Sequence, residues 1–199
     1  MTYGLTLVTA PTVEPLSLQE AKNQCHVVGN DHDAILEHLI VSARRVCEDR
    51  LSRQLITATW DLVMDEFPAD QICLPLPPVQ SVTSITYTDT AGSSATWDSS
   101  KYTFSASREP ARIMPAYNEN FPTDVREQPD AVTVRFVAGY GDAATDVPDQ
   151  IKHAMLLLIS HWFENREDVV VGTNMIQIAQ GSDYLLDSVD PGHWFHEIG

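Results

Sequence analysis

The chain has 199 residues, 43% of them hydrophobic and 20% charged, ordinary globular values that allow it a core of its own. Twelve Lys and Arg stand against 28 Asp and Glu, a formal net charge of −16 that repels phosphate backbones and speaks against nucleic-acid binding. The longest purely apolar run, Ala154–Ile159, is far shorter than the ~18–20 residues of a membrane span. No basic segment followed by an apolar stretch opens the sequence. A soluble, cytoplasmic product without membrane attachment is expected.

Residues 1–16 carry two prolines and no helical period, and read as an extended arm. Ser17-Leu18-Gln19-Glu20 matches a capping box, which opens a short helix to about Val27. From Asp33 to about Leu51, Ile35, Leu36, Leu39, Ile40, Ala43, Val46 and Cys47 recur at three- and four-residue spacing. The opposite face carries Arg44 with Glu48 and Arg45 with Asp49 at helical pairing distance.

The period then changes from 3.6 to 2. Trp60, Leu62 and Met64 alternate with polar neighbours, as do Val132, Val134 and Phe136. Between them lie Val79–Thr88 and shorter strand candidates around Trp97, Tyr102–Phe104 and Arg112–Met114. About six strands are expected over residues 55–140, forming a small sandwich or barrel. Gly139-Tyr140-Gly141 closes that lobe, and Asp146-Val147-Pro148-Asp149 opens a second long helix. Its main stripe reads Ile151, Ala154, Met155, Leu158 and Trp162, yet Leu156, Leu157 and Ile159 make it apolar nearly all round. Such a helix needs cover on several sides, and a neighbouring subunit is one source of it.

The expected fold is thus α+β: a helical core of two long helices and a short one, an inserted all-β lobe, and an extended C-terminal tail. The divisions are 1–54 for the arm and first helices, 55–141 for the β lobe, 142–168 for the closing helix packed on the first ones, and 169–199 for a docking tail. Within that tail Leu185 and Leu186 suggest a short helical turn over Gly181–Ser188. Trp194 and Phe195, beside Pro191-Gly192, suggest docking to a partner.

Signs of catalysis are missing. There is no phosphate-binding glycine loop, no Gly-x-Ser-x-Gly and no His-Glu-x-x-His. His161 and Glu164 share a helix face, but no third ligand follows at useful spacing. His26, His32 and His38 recur every six residues, which is not one face. Cys25, Cys47 and Cys73 form no metal-binding spacing, and Cys47 and Cys73 read as buried reduced thiols. No enzyme, cofactor or metal is expected. Arg44, Arg45, Arg50 and Arg53 gather four of the twelve positive charges within ten residues, a candidate patch for an acidic neighbour. Two other readings remain open. A binding module for a carbohydrate or host surface would expose Trp60, Trp97 and Tyr102 as a stacking platform, and a hydrolase would need an unrecognised carboxylate pair.

The order of segments resembles the head–tail connector (adaptor, or head completion) proteins of tailed phages. The resemblance is carried by Pro15-Leu16-Ser17-Leu18-Gln19-Glu20-Ala21-Lys22 and by a helix with Asp33, Leu36, Leu39, Ile40, Ala43, Arg44 and Glu48. It continues through Arg53-Gln54-Leu55, then Leu74 to Val79 leading into Val82, Ile85, Tyr87 and Asp89, and Gly139-Tyr140-Gly141. It closes with Val147-Pro148, Ile151, Ala154, His161-Trp162 and Glu164-Asn165-Arg166-Glu167, so that residues 15–167 are covered. The departure follows: Leu185-Leu186 runs into Asp187 and an acidic, aromatic end without Lys or Arg.

The resemblance implies a homo-oligomeric ring, typically of twelve copies, at the head–tail junction of a virion assembled in the bacterial cytoplasm, either a phage or a gene transfer agent. That ring would sit under the portal protein, extend the DNA channel without binding DNA specifically, and carry a tail-side stopper or terminator protein. Together with the composition it suggests that the long helices build the ring wall, the β lobe faces outward and the tail docks on portal or tail. Interface residues expected on this reading are Arg44, Arg45, Arg50, Arg53, Trp162, Leu185, Leu186, Trp194 and Phe195.

Overall fold

A computed structural model describes residues 3–165 and 180–189. The element order is β1 (Tyr3–Thr9), α1 (Leu18–Gln24), α2 (Asp33–Leu51), β2 (Ala58–Met64), β3 (Ile72–Leu74), β4 (Val79–Thr88), β5 (Ser94–Thr96), β6 (Tyr102–Ser105), β7 (Ala111–Pro115), β8 (Val132–Ala138), α3 (Asp149–Glu164) and α4 (Gln180–Asp187). None of these helices is long and apolar enough to cross a membrane. The chain divides into a β unit, Met1–Thr12 with Ser52–Asp142, and a helical unit, Val13–Leu51 with Ala143–Gly199.

The β unit holds two antiparallel sheets, one ordered β1-β2-β8-β4-β5 and the other β3-β7-β6. Alternation puts Leu62 and Met64 of β2 and Val132, Val134 and Phe136 of β8 inward. They join Ile72 and Leu74 of β3, Ile113 of β7, Ile85 of β4 and Trp97 in one buried cluster shared by both sheets. The lobe is therefore two sheets on a common core and not a closed barrel, which corrects that half of the expectation. The strand count is also higher than expected: β3 is three residues long, too short for its alternation to stand out beside the prolines that follow it. Gly139 ends β8 with φ +133, and a Cβ there would lie 2.6 Å from the backbone of Ile56 and Thr57. Only glycine fits that approach.

The helical unit begins with the capping box at Ser17. The Ser17 side chain accepts from the Glu20 N–H, and the Glu20 carboxylate accepts from the Ser17 N–H at 2.7 Å. Leu16 before the cap and Ala21 in the first turn are both buried, the two positions of a hydrophobic staple. In α2, Leu36, Ile40, Ala43 and Cys47 are buried as their spacing predicts, while Ile35 and Val46 lie at the exposed margin. Ser52, in a left-handed conformation at φ 51, ends that helix. In α3 the buried row is Ile151, Ala154, Met155 and Ile159. Leu158 and Trp162, read as part of the main stripe, are half-buried instead, because the Ile151-Met155-Ile159 row at four-residue spacing takes the centre of the packing.

The segment read as one helical turn is the full helix α4, whose Leu186 and Ser182 are buried. Gly181 lies against Leu157 of α3, and Arg50 of α2 pairs with Asp187 at 3.1 Å.

Candidate functional site

The expected basic patch divides. Arg44 is buried and bridges two segments: its Nε donates to Glu14 at 2.7 Å and its Nη1 to Glu48 at 2.7 Å. Burial alone would lower its pKa, but hydrogen bonds and charge from Glu14 and Glu48 hold it above the ordinary arginine value. Arg53, 4% exposed, lies in the β unit, where both of its terminal nitrogens donate to Glu109 and one reaches the Tyr140 hydroxyl at 3.3 Å. Burial pushes the Tyr140 hydroxyl up, and the Arg53 charge partly offsets it. Arg45 is exposed, and Arg50 is exposed with Asp183 and Asp187 beside it. Two of the four cations therefore serve the interior of the subunit, and two stand on its surface.

The other expected interface residues vary in the same way. Trp162 and Leu185 are half-buried and partly available, while Leu186 is covered within the helical unit. Trp194 and Phe195 lie outside the described residues.

Among the described residues, no three His, Cys, Asp or Glu side chains converge as a metal site. His161 faces the Asn165 side chain at 3.1 Å at the end of α3. Burial, with Glu48 nearby, pushes the Cys47 thiol up to about 12, an inert core position. Cys73, expected to be buried, is exposed because strand alternation turns it away from the inward Ile72 and Leu74. One open groove of about 820 Å³ in the β unit is walled by Phe67, Pro68, Phe121 and Pro122. Its lining includes Asp65 and Glu66 but neither His nor Cys, and Asp65 is engaged with the Asp130 N–H at 2.9 Å. The aromatics named for a sugar platform are not exposed as one: Trp97 is buried, and Trp60 and Tyr102 are half-buried. Trp97 is 4% exposed among Phe67, Tyr102 and Phe121, and the Trp60 indole donates to Gln54 while packing on the core.

One surface was missed in the reading of residues 1–16 as an arm. Among the described residues β1 pairs with β2 along one edge only, every residue of it is exposed, and Tyr3, Leu5 and Leu7 sit opposite Met64, Leu62 and Trp60. Opposed residues in an antiparallel pair point to one face. That row therefore continues the core face of the sheet beyond its cover. The signal was present in the sequence as strict alternation of large apolar residues and as the absence of any charged side chain before Glu14.

Comparison with known proteins fits a structural role. A model of the head completion protein family matches residues 15–182. The chain belongs to that family. As a head completion protein it is a structural component of a particle, not an enzyme. Among solved structures, it is similar to a chain in the neck of an empty gene transfer agent (GTA) particle computed with C6 symmetry. That match has 22% identity and a TM-score of 0.75, covering 92% of this chain and 94% of the other. A chain of the virion of a native GTA particle matches at 22% identity and TM-score 0.75, over 92% and 93% of the two chains. A chain in the neck of a native GTA particle computed with C12 symmetry matches at 22% and 0.73, over 92% and 94%. At this identity the likeness establishes a shared fold. No curated protein gives a significant match.

Proposed function

We propose that this head completion protein is a ring-forming subunit of the neck of a GTA-like or phage particle, placed under the portal protein. The observation that carries the reading is the fold likeness over 92% of the chain to proteins of GTA necks, joined to the family match over residues 15–182. Twelve copies is the number we favour, since a twelvefold ring satisfies both the C12 and the C6 descriptions of the similar necks. A net charge of −16 suits a subunit that borders a DNA passage, because an acidic wall lets DNA slide without sticking. In this reading Arg45, Arg50, Trp162 and Leu185 supply side-by-side contacts, and the residues after Ser188, with Trp194 and Phe195, dock on the portal or on a tail-side stopper or terminator.

The test is mass determination in solution, for the chain alone and mixed with the portal protein of the same particle. A ring-sized species, or stoichiometric joining to the portal, is the expected result. A chain that ignores the portal under every condition overturns the reading.

A further inference from the structure

We propose that the free edge of β1, with the uncovered row Tyr3, Leu5 and Leu7, is where a second copy of this chain docks by adding a strand to the five-stranded sheet. The inference rests on the ring reading for the identity of the partner, and on the geometry of β1 for the place. The edge is long: seven residues at ~3.4 Å each give about 24 Å of backbone, with one side left unpaired among the described residues. Exposed edges of this kind are normally blunted by Lys, Pro or inward-pointing charges. β1 carries none of these, and its single irregularity, at Val8, falls near the end of the strand.

The side chains point the same way. Tyr3, Leu5 and Leu7 are 57%, 37% and 44% exposed, yet they share a face with the buried Leu62 and Met64. An arriving strand would pair with the open backbone, and its side chains would extend the apolar layer over that row.

Charge selects the occupant. Two copies that each carry −16 repel one another overall, so contact is least costly where charge is absent. The first thirteen residues are such a strip. A basic partner would find no carboxylate on it. An uncharged strand recognised through main-chain hydrogen bonds fits, and a ring places an identical copy alongside at high local concentration. Pairing of β1 with β1 about a twofold axis would use up both edges and stop at two copies. The neighbour must therefore offer a different segment.

The experiment is sedimentation velocity on the full chain over rising concentration, comparing wild type with Leu5→Lys/Leu7→Lys. A photo-crosslinking benzoylphenylalanine at Leu7 is run in parallel, with one at the exposed Tyr117 as control. The expected result is wild-type self-association that the double variant shifts to roughly tenfold higher concentration or beyond, with an unchanged melting curve. The Leu7 probe should give chain-to-chain adducts mapping outside β1, and the Tyr117 probe none. If the lysine variant fails to fold, the adduct at Leu7 still decides. Self-association untouched by the lysines and without adducts overturns the docking edge and leaves the ring reading intact. Adducts of β1 with β1 overturn the side-by-side arrangement. A wild-type chain that stays monomeric throughout overturns the inference, and mixing with the portal protein then decides separately whether the ring reading survives.

Discussion

In the β unit, residues from distant parts of the sequence meet in one cluster to which five strands and Trp97 contribute, and Arg53 and Glu109, fifty-six positions apart, pair near its surface. In the helical unit, the named polar contacts are of another kind: a capping box three residues wide, Lys22 with Asp33, Arg44 with Glu14 and Glu48, and Arg50 with Asp183 and Asp187. The β unit has Arg53–Glu109 and Arg135–Asp61 as well, but its core rests on apolar burial and close backbone approach. The helical unit adds to its burial the partly buried fork of Arg44 on Glu14 and Glu48. The comparison teaches where each should fail. The first should yield to steric or desolvation errors, the second to loss of particular charges.

The largest effect is expected at Gly139. Its φ of +133 and a Cβ only 2.6 Å from the Ile56 and Thr57 backbone leave no flexible side chain to give way. Gly139→Ala should cost about 4 kcal/mol, from backbone strain plus the clash. A melting curve checks it, and a loss near zero would mean that β8 can end in another conformation. Next is Glu109→Leu, which leaves the Arg53 cation, 4% exposed, without its carboxylate. Only the cation of this pair is buried, Glu109 being 37% exposed, so solvent screening lowers the expected loss to about 2 kcal/mol. Denaturant unfolding measures this, and Arg53→Met with Glu109→Leu together should recover part of the loss.

A smaller effect tests the helical unit. Arg44 uses its planar fork on Glu14 and Glu48 at once, and a lysine ammonium cannot reproduce that geometry. Arg44→Lys should cost about 1.5 kcal/mol, more than an exposed ion pair is worth, because the site is buried. The same substitution at the exposed Arg45 should leave the melting temperature in place, and equal effects at the two positions would break the distinction between interior and surface arginines.

How far these features were legible in the sequence follows from how local each one is. α2 at Asp33–Leu51 coincides with its periodic segment and β4 at Val79–Thr88 with a run rich in Val, Thr, Ile and Tyr, because spacing and strand propensity are written within the element itself. The capping box at Ser17 is equally local. The division of the arginines was not legible: Glu14 lies thirty positions from Arg44, and Glu109 fifty-six from Arg53, so their partners exist only after folding. Spacing placed Leu158 and Trp162 on the stripe of α3, but a helix apolar nearly all round does not say which row faces inward. The charge-free opening of the chain was visible from the start. That it forms a strand open on one side depends on where the register with β2 puts Leu5 and Leu7, and no spacing within residues 1–16 contains that register.

The smallest predicted effect concerns the cap of α1. The Ser17 hydroxyl and backbone N–H bind the Glu20 carboxylate and hold its pKa below the ordinary value of 4.5. A carboxyl with a depressed folded pKa adds stability that is fully present above the unfolded value and is lost as pH falls through the folded one. Protection of the α1 amides against hydrogen exchange should therefore be constant above about pH 5 and decline below 4.5. Ser17→Ala removes the hydroxyl's bonds to the Glu20 N–H and carboxylate, keeps the backbone arm of the box, and should cost about 1 kcal/mol at neutral pH. It should also flatten the acid dependence of α1, because the carboxylate loses the hydroxyl that depressed its pKa. Amides of β2 and β8 serve as the internal reference, being tied into a sheet by long-range pairing. If acid loosened those strands at the same pH as α1, the contrast between a unit held by burial and one trimmed by charge would fail. If α1 alone responded, and only with Ser17 present, the cap would be identified as the charge-dependent element at the entrance to the helical unit.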